Sequence, residues 1–191
     1  MANLVAVLDA NVLFPASLRD TLLRAAENKL YHAYWTPLIL EEMRRNVVSK
    51  GKMTESQAQR LVTTLSRVFP DSIVPDTYQQ HIATLTNDPK DRHVLAAAIE
   101  SEANFIVTLN LSDFPRAALL PHHVVAISPD AFLLQLFQDA PATLKTIIRS
   151  QAAALRNPPL LLRDVLTILS FHVPQFCREM EVALNEQSDQ S

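Results

Sequence analysis

Residues 4–11 read LVAVLDAN, and this stretch decides the fold. The apolar run from Leu4 to Leu8 is short and continuous, which is typical of a strand buried on both faces of a parallel sheet. Asp9 follows the run directly. Because sites in open α/β sheets form outside the carboxyl ends of the strands, the stretch predicts a buried first strand with an acidic side chain at its functional end.

Patterns typical of strands and of helices alternate from this stretch to about residue 138. The predicted strands cover 4–8, 31–35, 104–108 and 124–127, and the predicted helices cover about 17–28, 36–48, 54–69, 76–85, 88–103 and 129–138. Ser17 and Thr36 are the predicted N-caps of the first two helices. The alternation predicts an α/β fold with a mostly parallel sheet flanked by helices.

The C-terminal part shows helical patterns only, with helices predicted to start at Pro141, Pro159 and Pro174. The segment 160–169 is too apolar for a lone surface helix, so we expect it to pack on the rest of the chain or on a partner. The predicted organisation is therefore an α/β domain over residues 1–128 and an all-helical C-terminal extension over residues 129–191.

The composition excludes several classes of protein. The 191 residues are 48% hydrophobic and 19% charged, a balance typical of one folded main domain rather than of a disordered chain. Gly51 is the single glycine, whereas phosphate-binding loops, dinucleotide sites and nucleophile elbows need several. The net charge of −3 means that any nucleic-acid contact has to be local.

Cysteine usage and hydropathy predict a cytoplasmic protein without membrane contact. Cys177 is the single cysteine, which excludes an internal disulfide and a cysteine-cluster zinc site and favours a reducing compartment. The N-terminus lacks the features of a signal peptide, and no apolar stretch reaches the length of about 18 residues that a membrane span needs.

Several acids fall where a site can form. Asp9 and Asp113 follow two predicted strands, so we expect them to meet if those strands are neighbours. Asp88 and Asp91 are predicted in the first turn of a helix, where ordinary capping explains them when they are considered without their context. Glu42 lies nearer the apolar face of its helix than Glu41 does, although a solvated charge pair is the other interpretation.

Carboxylate oxygens without cysteine or paired histidine ligands are the donors that Mg²⁺ and Mn²⁺ prefer. A divalent ion held by these acids would suit hydrolysis of an RNA phosphodiester. The six histidines show no metal-ligand spacing, and we assign none of them a role.

Four motifs, in this order and spacing, resemble those of the PIN-domain nucleases. They are VLDANVLFP (7–15), ILEEMRRN (39–46), NDPKDRHVLAAA (87–98) and IVTLNLSDF (106–114). The resemblance spans roughly Leu4 to Ile127, and the chain looks like the longer VapC toxins of bacterial toxin–antitoxin pairs, which carry a C-terminal helical extension. It implies a PIN-like three-layer fold, Mg²⁺- or Mn²⁺-dependent endoribonuclease activity, an RNA substrate, an antitoxin partner and, as a family-level expectation, a homodimer.

The resemblance also implies roles for individual residues. The catalytic acids would be Asp9, Glu42, Asp91 and Asp113, and the metal ligands among them would include Asp9, Asp91 and Asp113. The supporting residues would be Asn11, Asp88, Thr108 and Asn110. The candidates for RNA phosphate contacts are Arg44, Arg45, Lys90 and Arg92, for which a solvated charged face is the alternative.

Two other functions stay open at this point. Asn110 stands where many relatives have an aspartate, which removes one charge unless Asp113 compensates, so a catalytically weak PIN-fold module for RNA binding or assembly is the alternative. A phosphatase of the haloacid dehalogenase kind also begins with an aspartate after its first strand. That chemistry expects a second aspartate two residues later, where this chain has Asn11.

Overall fold

A computed structural model of the chain describes residues 4–155 and 159–188. Within these residues lie four strands, β1 (Val5–Leu8), β2 (His32–Tyr34), β3 (Phe105–Val107) and β4 (Val125–Ile127). They form a single sheet in the order β2-β1-β3-β4, and each neighbouring pair is parallel. The four predicted strands and the parallel sheet are confirmed.

The central strand β1 is covered on both faces. Ala6, Val7 and Leu8 are completely buried, and successive side chains of a strand point to opposite faces. In the register of the sheet, Ala6 is paired with Ala33 of β2 and with Phe105 of β3. The continuous apolar run therefore corresponds to a strand inside a parallel sheet, as its sequence predicts.

Helices make up most of the remaining described chain. In chain order they are α1 (Ala10–Leu13), α2 (Ala16–Glu27), α3 (Pro37–Ser49), α4 (Glu55–Val68), α5 (Gln79–Ile82), α6 (Arg92–Glu100), α7 (Arg116–Leu119), α8 (Pro129–Asp139), α9 (Pro141–Ala154), α10 (Leu162–Ser170) and α11 (Pro174–Ser188). Short 3-10 segments cover Pro70–Ser72, Asp76–Tyr78, Leu111–Asp113 and Leu120–His122. The α/β class with flanking helices and a helical C-terminal region is confirmed.

Hydroxyl caps begin α3, α4 and α8, and two of the predicted helix starts are wrong. The Thr36 hydroxyl accepts a hydrogen bond from the Ile39 amide at 3.1 Å, which confirms this predicted cap of α3. Ser17 is wrong as a cap, because α2 begins one residue earlier and Pro15 occupies the cap position. Pro159 does not begin a helix either, since α10 begins at Leu162.

The largest correction concerns the segment that carries Asp88 and Asp91. We predicted a helix from Asp88, but α6 begins at Arg92 and a turn precedes it. Oδ1 of Asp88 accepts a hydrogen bond from the Lys90 amide at 2.9 Å, and the Asp91 amide donates to the Asp88 carbonyl at 2.9 Å. An aspartate side chain that bonds to the backbone in this way competes with helix formation, so the turn replaces the first helical turn.

The described chain divides into two compact units. Of the described residues, the first contains 4–14 and 31–127, and the second contains 15–30, 128–155 and 159–188. Helix α2 therefore belongs with the C-terminal helices, although it precedes most of the sheet in sequence. The functional division at residue 128 into a nuclease domain and an extension stays a prediction.

In the second unit, a buried polar contact joins α2 to α9. The Thr21 hydroxyl lies 2.7 Å from Oε1 of Gln151, and Nε2 of Gln151 donates to the Ser17 carbonyl at 2.9 Å. Both side chains are almost completely buried, and buried polar groups are stable only when their hydrogen bonds are made. The contact fixes α2 against a helix 130 residues away in sequence.

The apolar helix α10 packs inside the second unit. Val165, Leu166 and Leu169 are buried, and α10 contacts α9 and α11. Of the two expected ways to cover this segment, packing on its own chain is the one observed. Among the helices of the described residues, none is both long and apolar enough to cross a lipid bilayer.

Candidate active site

The strand order of the sheet indicates a binding crevice at the carboxyl ends of β1 and β3. The chain leaves β1 toward β2 on one side, and it leaves β3 toward β4 on the other. Neighbouring parallel strands whose connections leave in opposite directions form a crevice at their carboxyl ends, where ligands bind in folds of this class. Asp9 follows β1 and Thr108 follows β3, so both lie at this crevice.

Asp9 is held by side chains from both strand ends. Its Oδ2 accepts hydrogen bonds from Nδ2 of Asn11 at 2.6 Å and from the Thr108 hydroxyl at 2.7 Å. Asn11 also accepts a hydrogen bond at Oδ1 from the Leu109 amide, at 3.0 Å. Asp9 is only 5% exposed, so its carboxylate has a fixed position.

The environment of Asp9 shifts the pKa of its carboxyl upward. Burial raises the pKa of Asp9, the hydrogen bond from Thr108 opposes this effect, and the negative charge of Glu42 adds to it. Asp9 and Glu42 therefore lie close enough to repel each other.

Asp91 lies near the other aspartates. Its pKa is raised to about 6 by burial and, in order of decreasing effect, by the negative charges of Asp9, Asp113 and Asp88. Asp91 occupies the N-cap position of α6, yet among the described residues its side chain makes no capping hydrogen bond. Ordinary capping therefore does not account for this carboxylate.

Asp113 follows β3 on the short 3-10 segment Leu111–Asp113 and is half-buried. Its amide donates to the Asn110 carbonyl at 3.2 Å, and the Ser112 hydroxyl donates to its carboxylate at 3.3 Å. The Asn110 amide donates to the Thr108 hydroxyl at 3.0 Å, so Asn110 supports this region through its backbone. The structure thus brings Asp113 near Asp91, with Asn110 in the connecting turn.

The adjacent glutamates of α3 have different partners. Both carboxylate oxygens of Glu41 accept hydrogen bonds from Arg44, each at 2.7 Å. Glu42 instead lies with Oε2 3.3 Å from Nε2 of His93, and its side chain is 30% exposed. Of the two, Glu42 is the one near Asp9, in agreement with its position on the helix.

His93 is a site residue that our sequence analysis missed. It is almost completely buried on α6, and its Nδ1 lies 2.8 Å from the Lys90 carbonyl. Burial alone would lower the pKa of His93, but the contacts with Glu42 and the Lys90 carbonyl and the charge of Asp9 raise it overall. The available sequence signal was a histidine two residues after Asp91, followed by an apolar helix.

The four basic residues differ in how accessible they are. Arg44 is bound by Glu41 and also contacts Glu55, so its guanidinium is largely engaged. Nε of Arg92 donates to the Asn87 carbonyl at 3.3 Å. The exposed members are Arg45 and Lys90. Contact of any of the four with RNA stays a prediction.

The acids fit a hard divalent cation by their chemistry. Within residues 4–155 and 159–188, no three histidine, cysteine, aspartate or glutamate side chains are placed so that they could hold one ion. The carboxylates of Asp9, Asp91 and Asp113 are nevertheless the oxygen donors that Mg²⁺ and Mn²⁺ prefer. Part of the raised pKa of Asp91 comes from its acidic neighbours, and a cation between them would offset that repulsion.

Comparison with known families agrees with this geometry. The family model described as "PIN domain" matches residues 5–112, more than half of the chain. The chain belongs to the PIN-domain family. The matched PIN-domain range contains Asp9, Glu42 and Asp91 and ends one residue before Asp113. A second model, described as "VapC50 C-terminal domain", matches residues 129–181, so the resemblance inferred from the four motifs is confirmed.

One relative carries a functional name. The PIN-domain chain is 41% identical over 99 residues to the protein named "Putative ribonuclease VapC50" of Mycobacterium tuberculosis. These residues are 52% of this chain and 59% of that relative, so the similarity covers little more than half of either protein. No solved structure matches the chain with significance.

Proposed function

We propose that this chain is a metal-dependent endoribonuclease that hydrolyses phosphodiester bonds of RNA. The observation that carries the proposal is the position of Asp91. Its carboxylate makes no capping hydrogen bond among the described residues, and the charges of Asp9 and Asp113 repel it. A carboxyl whose pKa is raised by burial and by acids from other elements, as that of Asp91 is, is typical of functional sites. The printed name of the relative, a ribonuclease, supports RNA as the substrate.

In this proposal, Asp9, Asp91 and Asp113 hold Mg²⁺ or Mn²⁺. Such an ion supplies Lewis acidity at a phosphoryl oxygen and makes water a better nucleophile at neutral pH. Asn11 and Thr108 keep the carboxylate of Asp9 oriented. Glu42 is half-buried beside Asp9, where its carboxylate can take a proton from a reacting group.

The remaining predicted residues have supporting roles in the proposal. Asp88 shapes the turn before Asp91 through its bond to the Lys90 amide, and Asn110 braces Thr108. Arg45 and Lys90 are exposed and can contact phosphates of the substrate, although Arg45 also lies 3.7 Å from Glu41. Arg44 and Arg92 are less exposed and have hydrogen-bond partners within the chain.

We further propose that the chain is the toxin of a toxin–antitoxin pair and acts in the cytoplasm. The VapC50 name of the relative and the matching C-terminal model support this proposal. Its partners would be RNA, a cognate antitoxin protein and a second copy of the chain. Co-purification with the product of a small neighbouring gene tests whether an antitoxin binds the chain. A chain that cleaves RNA but does not slow the growth of cells without the antitoxin would contradict the toxin proposal.

The direct test is an RNA cleavage assay with and without Mn²⁺. We expect cleavage by the wild type with Mn²⁺ and none with a chelator. The matched variants are Asp9→Asn, which we expect to be inactive, and Asp71→Asn, an exposed acid on another segment, which we expect to cleave normally. A folded wild type without activity would contradict the proposal and favour an RNA-binding or assembly module, and equal activity in Asp9→Asn would contradict the assigned site.

A further inference from the structure

We propose that His93 is a positioning residue that holds the carboxylate of Glu42 in place for RNA cleavage. The inference rests on the proposed function, because the position of Glu42 matters to a reaction only if the chain catalyses one. It concerns a contact between α6, which follows Asp91, and α3, which carries Glu42.

The orientation of the His93 ring follows from its contact with Lys90. Nδ1 lies 2.8 Å from the Lys90 carbonyl oxygen, and a carbonyl can only accept a hydrogen bond, so Nδ1 is the donor. Because this bond fixes Nδ1 and the ring is buried, the orientation of Nε2 is also fixed. Nε2 therefore points toward Glu42 and lies 3.3 Å from Oε2.

Nε2 of His93 has Glu42 as its ionic partner. Within the part of the chain that the structure describes, this atom is buried and makes no aligned hydrogen bond. The distance of 3.3 Å to Oε2 suits an ion pair with the protonated ring. Because Nδ1 donates to Lys90, the contact between Nε2 and Oε2 is attractive only when one proton lies between the two atoms, and an unpaired buried nitrogen beside a carboxylate would be costly.

Glu42 needs such a partner because its side chain would otherwise be mobile. A glutamate has three rotatable bonds, and holding it in one conformation costs conformational entropy. Its neighbour Glu41 is held by Arg44, which leaves Glu42 to His93. One buried ring thus links Glu42 on α3 to the turn of Lys90 and Asp91.

The competing explanation is that His93 serves only to close the turn through Lys90. Two substitutions separate these roles, because each keeps one half of the imidazole. The amide of His93→Asn can replace Nδ1 and its bond to Lys90 but does not reach Glu42. The amide of His93→Gln can replace Nε2 and its contact with Glu42 but loses the bond to Lys90.

The experiment measures kcat and KM on a short RNA with saturating Mn²⁺ for the wild type, both His93 variants, Glu42→Ala and the double variant His93→Asn/Glu42→Ala. We expect His93→Asn to lower kcat about 10- to 100-fold with little change in KM, the usual effect of losing an orienting residue. We expect His93→Gln to retain most of the activity. In the Glu42→Ala background, His93→Asn should have no further effect.

Circular dichroism and Mn²⁺ affinity by calorimetry accompany the kinetics. We expect both to be unchanged in the His93 variants, since Asp9, Asp91 and Asp113 are intact. Equal losses in the Asn and Gln variants, additive losses with Glu42→Ala, or weakened Mn²⁺ binding would overturn the inference and leave the nuclease proposal standing. If His93→Asn does not fold, His93→Gln decides: retained kcat supports the contact with Glu42, and a loss of kcat of about 10-fold or more overturns it. An inactive wild type would overturn the proposed function and the inference together.

Discussion

The two halves of the candidate site are held in different ways. In the strand half, Asp9 is buried and its carboxylate is fixed by Asn11 and Thr108. In the loop half, Asp91 and Asp113 are only half-buried, and burial together with repulsion by the other acids raises the pKa of Asp91. The strand half defines where the site lies, and the loop half holds negative charge that a cation would stabilise.

The largest expected effect is that of Asp91→Asn, which should change activity and stability in opposite directions. We expect Asp91→Asn to abolish RNA cleavage, because it removes a proposed ligand. The same change should raise the melting temperature of the metal-free protein, because it also removes a charge that its neighbours repel. Cleavage assays measure the activity, and thermal melts in a chelator measure the stability of the metal-free protein. A variant that still cleaves RNA, or that melts at a lower temperature than the wild type, would contradict the difference between the halves.

A smaller effect is expected in the strand half. Thr108→Val keeps the shape of the side chain but removes the hydrogen bond to Asp9 and the acceptor for the Asn110 amide. We expect cleavage to fall about 10- to 100-fold and the free energy of unfolding to fall by about 1–3 kcal/mol. Thr63→Val on α4, whose exposed hydroxyl bonds to its own helix, is the matched control and should change neither. Cleavage kinetics and urea titrations measure the two quantities. If Thr108→Val changes neither of them, Asp9 is not held by this bond.

The pH dependence of stability tests the loop half by itself. The pKa of Asp91 is raised from 3.8 to about 6, so the folded chain binds this proton more tightly than the unfolded chain does. The contribution of Asp91 to the stability of the metal-free protein should therefore fall as pH rises from about 4 to about 6. Thermal melts of the wild type and of Asp91→Asn across this pH range isolate the contribution of Asp91 to stability. Identical dependence of the melting temperature on pH in the two proteins would contradict the prediction.

The smallest expected effect concerns the exposed lysine of the loop half. Lys90→Ala should raise KM for RNA a few-fold and reduce the dependence of binding on salt by about one released ion, as expected for one phosphate contact. Lys52→Ala removes an exposed lysine elsewhere and serves as the control. Equal KM values in the two variants would remove Lys90 from the RNA-binding surface.

The strand half could be predicted from the sequence because it depends on local patterns. A continuous apolar run predicts a buried strand, and the acid after it lies at the edge where sites form. The run before Thr108 is of the same kind, and β1 and β3 are indeed neighbours. The supporting positions of Asn11 and Thr108 came from the family resemblance rather than from the pattern itself.

The loop half was less predictable, because local alternatives compete there. Asp88 followed by Pro89 is typical of a helix start, yet the bond from the Lys90 amide to Asp88 makes a turn instead. His93 was missed because its role depends on α6 lying beside α3, a contact between residues 51 positions apart that no local pattern records. The same limit applies to α2, whose Thr21 contacts Gln151 across 130 residues.

The central claim is that acids from both halves bind one divalent ion. Crystals of the wild type grown with Mn²⁺ test this claim most directly, because anomalous scattering locates the ion. We predict a Mn²⁺ peak at the carboxyl ends of β1 and β3, with oxygens of Asp9, Asp91 and Asp113 within direct or water-bridged reach. A well-ordered crystal with saturating Mn²⁺ and no peak at these acids, or with a peak held by one half alone, would contradict the account.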